Sequence, residues 1–173
     1  MQLNEIRGLG TSQYTVAIDL DGVLADFEAK VHEVFGMPIN QVPKNKLWDG
    51  INRYNKTVEP FFETLPAMND YRQLIDFVDN NFSNWYILTA TGYTPKNAGE
   101  QKRKWVKKVI GPQVDVITVQ KSEEKSKFAT DNAILIDDRA KSIDPWVSAG
   151  GVGILHTSAN ESIKELKKYL KGE

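Results

Sequence analysis

Five short runs rich in Val, Ile and Tyr, at Tyr14–Leu20, Trp85–Thr89, Val114–Val119, Ala133–Ile136 and Val152–Leu155, are separated in most cases by stretches of helical periodicity. This alternation constrains the fold more than any other feature of the chain. Nearly continuous apolar runs suit strands buried on both faces, and helices between them supply the crossovers that parallel pairing requires. The expectation is an α/β fold, a parallel sheet covered by helices on both faces. Helices are predicted at Met68–Asn80, Pro95–Ile110, Ser122–Ala129, Ile143–Ala149 and Ser162–Leu170. Pro95 suits a first helical turn, Gly111-Pro112 stops that helix, and Ser158 or Asn160 could cap the last one.

The interval from Phe27 to Pro66 breaks the rhythm. A helical start at Glu28–Phe35 meets the breakers Gly36, Pro38 and Pro43, and a mixed stretch carrying Trp48, Tyr54, Phe61 and Phe62 follows. No convincing strand is present in it. The reading is a small, mainly helical cap at residues 27–66, inserted after the first strand into a core made of residues 1–26 and 67–173. Such an insertion would stand over the carboxyl ends of the strands, where α/β sheets bind ligands.

With 173 residues, the chain suits one domain with a substantial core. Its 22 basic and 23 acidic residues nearly cancel, which argues against general nucleic-acid binding driven by charge excess and leaves room for a small phosphorylated ligand. The absence of cysteine excludes disulfides and thiolate chemistry. With a polar N-terminal stretch Met1–Arg7 and no apolar run of membrane-spanning length, a cytoplasmic protein without membrane association is expected. A homodimer is left open.

Chemistry is concentrated at strand ends. Asp19-Leu20-Asp21-Gly22-Val23 directly follows the first strand, and a spacing of two places both carboxylates on one side of the pleat. Paired acids are costly unless a positive group sits beside them, most simply a divalent cation and the site of a phosphate. Thr89 ends the second strand, Lys125 lies at the start of a short helix before the fourth, and Asp137-Asp138 ends the fourth. Alone, an Asp-x-Asp-Gly is also a turn, a strand-end Thr a helix cap, and a lysine a surface charge. In this order they are what metal-assisted phosphoryl transfer needs.

Charge and geometry then suggest roles. Asp19 can attack phosphorus, and Asp21 can protonate the leaving oxygen and later deprotonate water. Mg²⁺ would be held by Asp19, the Asp21 main-chain carbonyl and one or both of Asp137 and Asp138. Thr89 can donate to a phosphate oxygen, and Lys125 can offset the accumulated negative charge. Lys127, and more weakly Lys121, are alternatives for that lysine. The run Lys102-Arg103-Lys104, with Lys107 and Lys108, reads as a solvated helix face around a buried stripe.

These motifs resemble those of haloacid dehalogenase superfamily phosphatases, with Asp19-Leu-Asp21-Gly-Val as the first motif, Thr89 the second, Lys125 the third and Asp137-Asp138 the fourth. An Asp at position 21 resembles the phosphatases of that superfamily, whose ATPases have Thr. Within it, Asp26-Phe27, Pro60-Phe61-Phe62-Glu-Thr-Leu65-Pro66 and Leu135-Ile-Asp-Asp-Arg139 are similar to 5'(3')-deoxyribonucleotidases. The resemblance implies a Rossmann-like core, Mg²⁺, an aspartyl-phosphate intermediate and a nucleoside monophosphate substrate. It further implies that Phe27 lies near the nucleobase, that Ala90 joins Thr89 and Lys125 around the substrate, and that Trp48 or Phe62 could stack on the base. A different phosphate ester, or a nucleic-acid 3'-phosphate end, remains the alternative. A receiver-type phosphoacceptor domain is more remote, because there the paired acids come first in the chain.

Overall fold

The structure, a computed structural model, describes residues 12–170. The reading of the polar N-terminal stretch Met1–Arg7 lies outside the described residues. Five parallel strands form one sheet in the order β3-β2-β1-β4-β5. They are β1 (Ser12–Ile18), β2 (Phe82–Ala90), β3 (Val116–Val119), β4 (Ala133–Asp137) and β5 (Val152–Leu155). Among the described residues six α-helices accompany them: α1 (Phe27–Phe35), α2 (Lys44–Thr57), α3 (Tyr71–Asn81), α4 (Ala98–Val109), α5 (Ala140–Ser148) and α6 (Ala159–Leu166). The expected α/β parallel sheet flanked by helices is the observed fold.

Alternation along the strands divides the core in two. Val16, Ile18, Ile87, Ile134, Ile136 and Ile154 face a large cluster that includes Leu74 and Val78 of α3, Trp105 and Val106 of α4, and Ile163 and Leu166 of α6. Ala17, Leu88, Ala133 and Leu135 face the other way, against Ile143 and Trp146 of α5. Burying each large apolar side chain contributes roughly 1.5–3 kcal/mol before entropy is counted, so the sheet is held from both faces.

Several boundaries moved for local reasons. Val114 donates to Gly111 O at 3.5 Å in the turn after α4, so β3 begins only at Val116. The Met68 N–H is taken by Leu24 O at 2.8 Å, and α3 begins at Tyr71. Pro95 precedes α4, whose first residue is Ala98. Helix α5 starts three residues before the expected Ile143 and carries Pro145 inside it. Ser122–Phe128 is a 3-10 helix, and the expected last helix divides into α6, capped by the Ser158 side chain, and a 3-10 turn at Lys167–Tyr169.

Between β1 and α3 the chain makes its long excursion through α1, a 3-10 turn at Ile39–Gln41, and α2. Asp26 N–H donates to Pro66 O at 2.8 Å, and Ala25 bridges Ala67, so the excursion leaves and returns at one point. Asp26 caps α1 by accepting from Ala29 N–H, and Gly36, at φ 68°, ends it in the left-handed conformation that glycine adopts without strain.

Candidate active site

Register places the acids before any side chain is considered. In the sheet Ile18 lies between Ile87 of β2 and Ile136 of β4, and Asp19 N–H continues the ladder to Ile136 O at 2.9 Å. Asp19 therefore emerges beside Asp137 on the neighbouring strand, at the carboxyl ends of the sheet. The strand order reverses there, the usual place for a ligand in such folds. After Asp19 the chain turns sharply: Leu20 O accepts from the N–H groups of Val23, Leu24 and Ala25, and Gly22 adopts φ 81°. A Cβ at position 22 would overlap the Asp138 carboxylate, so glycine is required there twice over.

Lys125 lies between the two buried acids. Its ammonium contacts Asp19 Oδ1 at 2.8 Å and Asp137 Oδ2 at 2.5 Å, and the lysine itself is 1% exposed. Burial acts to lower its pKa, but the Asp19 and Asp137 charges outweigh that and hold it above the ordinary value. Lys127 is exposed and paired with Glu124 at 3.1 Å, while Lys121 stands at the rim of the site. Asp137 Oδ1 also accepts from Arg139 N–H at 2.9 Å.

One oxygen from each of Asp19, Asp137 and Asp138 lies within 4.8 Å of the others. Burial, and next the Asp19 charge, pushes Asp137 up to about 6. Withdrawal of the Asp138 carboxyl from water, with the Asp19 and Asp137 charges, pushes that group up to about 7, although the residue stands at the exposed rim. Three carboxylates gathered this closely, with one lysine among them, form a hard-oxygen donor set, and a divalent cation such as Mg²⁺ fits it. The Asp21 carboxylate is outside that set, so only its main-chain carbonyl is left for the metal role expected of it.

Asp21 is instead held by a residue that sequence reasoning missed. Lys102, expected on a solvated face, is 1% exposed. Its ammonium donates to Asp21 Oδ2 at 2.7 Å, to Thr89 Oγ1 at 3.0 Å and to Ala90 O at 2.6 Å. The signal was spacing: Ala98, Gln101, Lys102, Trp105 and Val106 form the buried stripe of α4, and Lys102 falls within it. Asp21 Oδ1 is buried without a partner. Burial raises the Asp21 pKa despite the opposing Lys102 charge. Thr89 Oγ1 accepts from Lys102, which leaves its hydroxyl hydrogen free to donate elsewhere.

Two cavities open on either side of Asp21 and Trp48. One, about 240 Å³, is lined by Asp19, Asp21, Phe62, Thr89, Ala90, Lys102 and Lys125, with Lys121, Glu123, Arg139 and Lys141 toward its mouth. The other, about 580 Å³, is lined by Phe27, Leu47, Trp48, Met68, Asp138 and Arg139. Phe27 lies 6.2 Å from the Trp48 ring and 6.2 Å from the Phe62 ring, centroid to centroid. Phe27, Trp48 and Phe62 thus converge, though Phe62 is fully buried and offers only an edge of the smaller cavity. A third cavity, about 430 Å³ near Thr15, Asn84 and Trp85, is lined by Asp79 and Asp115, and among the described residues no group of three metal-ligating side chains lies there.

No protein-family model and no curated protein matches the chain. Solved structures do. A haloacid dehalogenase superfamily hydrolase from Ehrlichia chaffeensis aligns with a TM-score of 0.58 and 11% identity over 93% of this chain and 99% of that one. A hydrolase from Streptococcus pneumoniae aligns at 0.53 and 17% identity over 89% and 98%. An enzyme of the same family from Bacteroides thetaiotaomicron, solved with magnesium and inorganic phosphate, aligns at 0.51 and 14% identity over 84% and 94%. The fold is therefore haloacid dehalogenase-like, a Rossmann-type α/β architecture. No helix among the described residues is long and apolar enough to cross a membrane.

Proposed function

We propose that the chain is a Mg²⁺-dependent phosphomonoesterase that hydrolyses nucleoside monophosphates, deoxyribonucleotides foremost, through an aspartyl phosphate. The observation that carries the reading is Asp19, a carboxylate fixed by Lys125 at the strand ends and grouped with Asp137 and Asp138. Asp19, Asp137 and Asp138 would hold the metal ion, which when bound neutralises charge on the phosphoryl group. The Bacteroides neighbour, with its magnesium and phosphate, supports the same assignment.

The steps follow from the side chains. An Asp19 oxygen attacks phosphorus, forming one P–O bond as the ester P–O bond breaks, and the leaving oxygen takes the Asp21 proton. Asp21, now ionised beside Lys102, removes a proton from water, which attacks phosphorus, restores the Asp19 carboxylate and frees phosphate. Thr89 donates to a phosphate oxygen, and Lys125 orients Asp19.

Charge supports a phosphate anion at this place. With Asp21 protonated, a dication, Lys102 and Lys125 exceed the Asp19, Asp137 and Asp138 carboxylates by one charge, and the rim cations Lys121, Arg139 and Lys141 outnumber Glu123. The nucleoside half of the reading rests on the larger cavity, where Phe27 and Trp48 offer aromatic faces to a base. In this reading residues 27–66 are the cap. Purified protein with Mg²⁺ should release phosphate from dTMP and dUMP in preference to sugar phosphates and 3'-phosphorylated oligonucleotides. Equal turnover of all of these would remove the nucleotide assignment, and full activity in Asp19→Asn would remove the mechanism.

A further inference from the structure

Gln101 is 3% exposed and both ends of its amide are engaged. Its Oε1 accepts from Phe62 N–H at 2.9 Å, and its Nε2 donates to Asn55 Oδ1 at 2.7 Å. Asn55 Oδ1 also accepts from Phe61 N–H at 3.0 Å, and Asn55 Nδ2 donates to Asn97 Oδ1 at 3.3 Å. Helix packing alone would be served by a leucine at position 101. A buried glutamine is tolerated where something needs its hydrogen bonds, and here two successive main-chain amides in the turn after α2 need acceptors. Fixing those amides fixes the rings beside them. Phe61 and Phe62 lie 5.1 Å apart, Phe27 lies 5.7 Å from Phe61, and Lys102 Nζ is 4.8 Å from the Phe62 centroid. The helix that holds Asp21 through Lys102 thus also holds the aromatic wall, through the adjacent residue.

We propose that Gln101 and Asn55 form an amide latch that seats the aromatic wall of residues 27–66 against α4, making both of them positioning residues for the leaving group. This rests on the phosphatase reading above, because the leaving group is what the wall would contact. Gln101→Met keeps side-chain length but loses both hydrogen bonds. It should raise KM for dTMP about tenfold while changing kcat and KM for glycerol 2-phosphate, whose leaving group has no ring, less than threefold. Asn55→Asp, which keeps the oxygen that accepts from Phe61 and Gln101, should restore most of the affinity that Asn55→Leu loses. Amide exchange at Phe61 and Phe62 should accelerate in Gln101→Met and Asn55→Leu. Equal losses on both esters, or a lower melting temperature with dTMP KM unchanged, would overturn the latch. If the wild-type protein turned over neither ester, the phosphatase reading would fail. Amide exchange would then decide the latch alone, and unchanged exchange at Phe62 in Gln101→Met would overturn it.

Discussion

The floor of the site and its wall are built by different means. Asp19, Thr89 and Asp137 come from the ends of three adjacent strands, so ladder register sets their spacing and Lys125 locks two of them. Phe27, Trp48, Phe61 and Phe62 come from a helical excursion held to the core by apolar packing, side-chain amides and backbone pairing where it departs and returns. The floor is thus fixed by backbone geometry that any apolar strand can supply. The wall depends on particular polar side chains far apart in sequence, so damage to the floor should appear in kcat and damage to the wall in KM.

The largest expected effect is at the floor. Asp19→Asn should lower Mg²⁺-dependent phosphate release by roughly a thousandfold or more, measured as kcat on dTMP, with the circular dichroism spectrum unchanged. Next comes the metal: chelation should abolish turnover and added Mg²⁺ restore it, and Asp138→Asn should raise the Mg²⁺ concentration needed, read by activity titration. Lys102→Met should cost on the order of a hundredfold in kcat, because Asp21 loses the ammonium that steadies its ionised form. A KM-only effect there would place Lys102 with the wall. Trp48→Ala should raise KM for dTMP several-fold, by an amount that stacking on an aromatic face supplies, with kcat nearly constant. Equal changes in both parameters would erase the distinction between floor and wall.

The smallest effect is at the base of the wall. Lys30 Nζ, buried, lies 2.6 Å from Glu59 Oε1, and the Lys30 hydrogen bond, with one from Tyr54, holds the Glu59 pKa below its ordinary 4.5. A carboxyl whose folded pKa is depressed contributes stability that is full above its unfolded value and is lost as pH falls through the folded one. Melting temperature should therefore drop more steeply for wild type than for Glu59→Gln as pH falls below about 4.5, and parallel curves would exclude the contribution.

What was legible in the sequence divides along the same line. The sheet was visible because each strand is a short apolar run, and β5 was bounded correctly by Val152 and Leu155. Asp19, Thr89 and Asp137 were visible because strand-end residues lie close to their final positions as soon as the strands pair, and Lys125 because it lies in the short 3-10 helix between β3 and β4. Lys102 was not, since a lysine in a basic run reads as solvated until something shows that its helix turns that residue inward. Gln101 and Asn55 were invisible for a related reason. They are separated by 46 positions, and neither belongs to a motif. Helix starts failed where a tertiary hydrogen bond took an early amide, as Leu24 does with Met68.

The pin between Asp26 and Pro66 has a consequence for how such a molecule could be altered. Since the excursion departs and rejoins within one hydrogen bond, its interior could be exchanged for a segment of another length at a closure cost that grows only slowly with length. The reaction centre would see the same two anchor points. On the phosphatase reading, selectivity and reactivity would then be separable, provided that a segment grafted between residues 26 and 67 keeps the buried Phe61, Phe62 and Leu65 that pack into the common core.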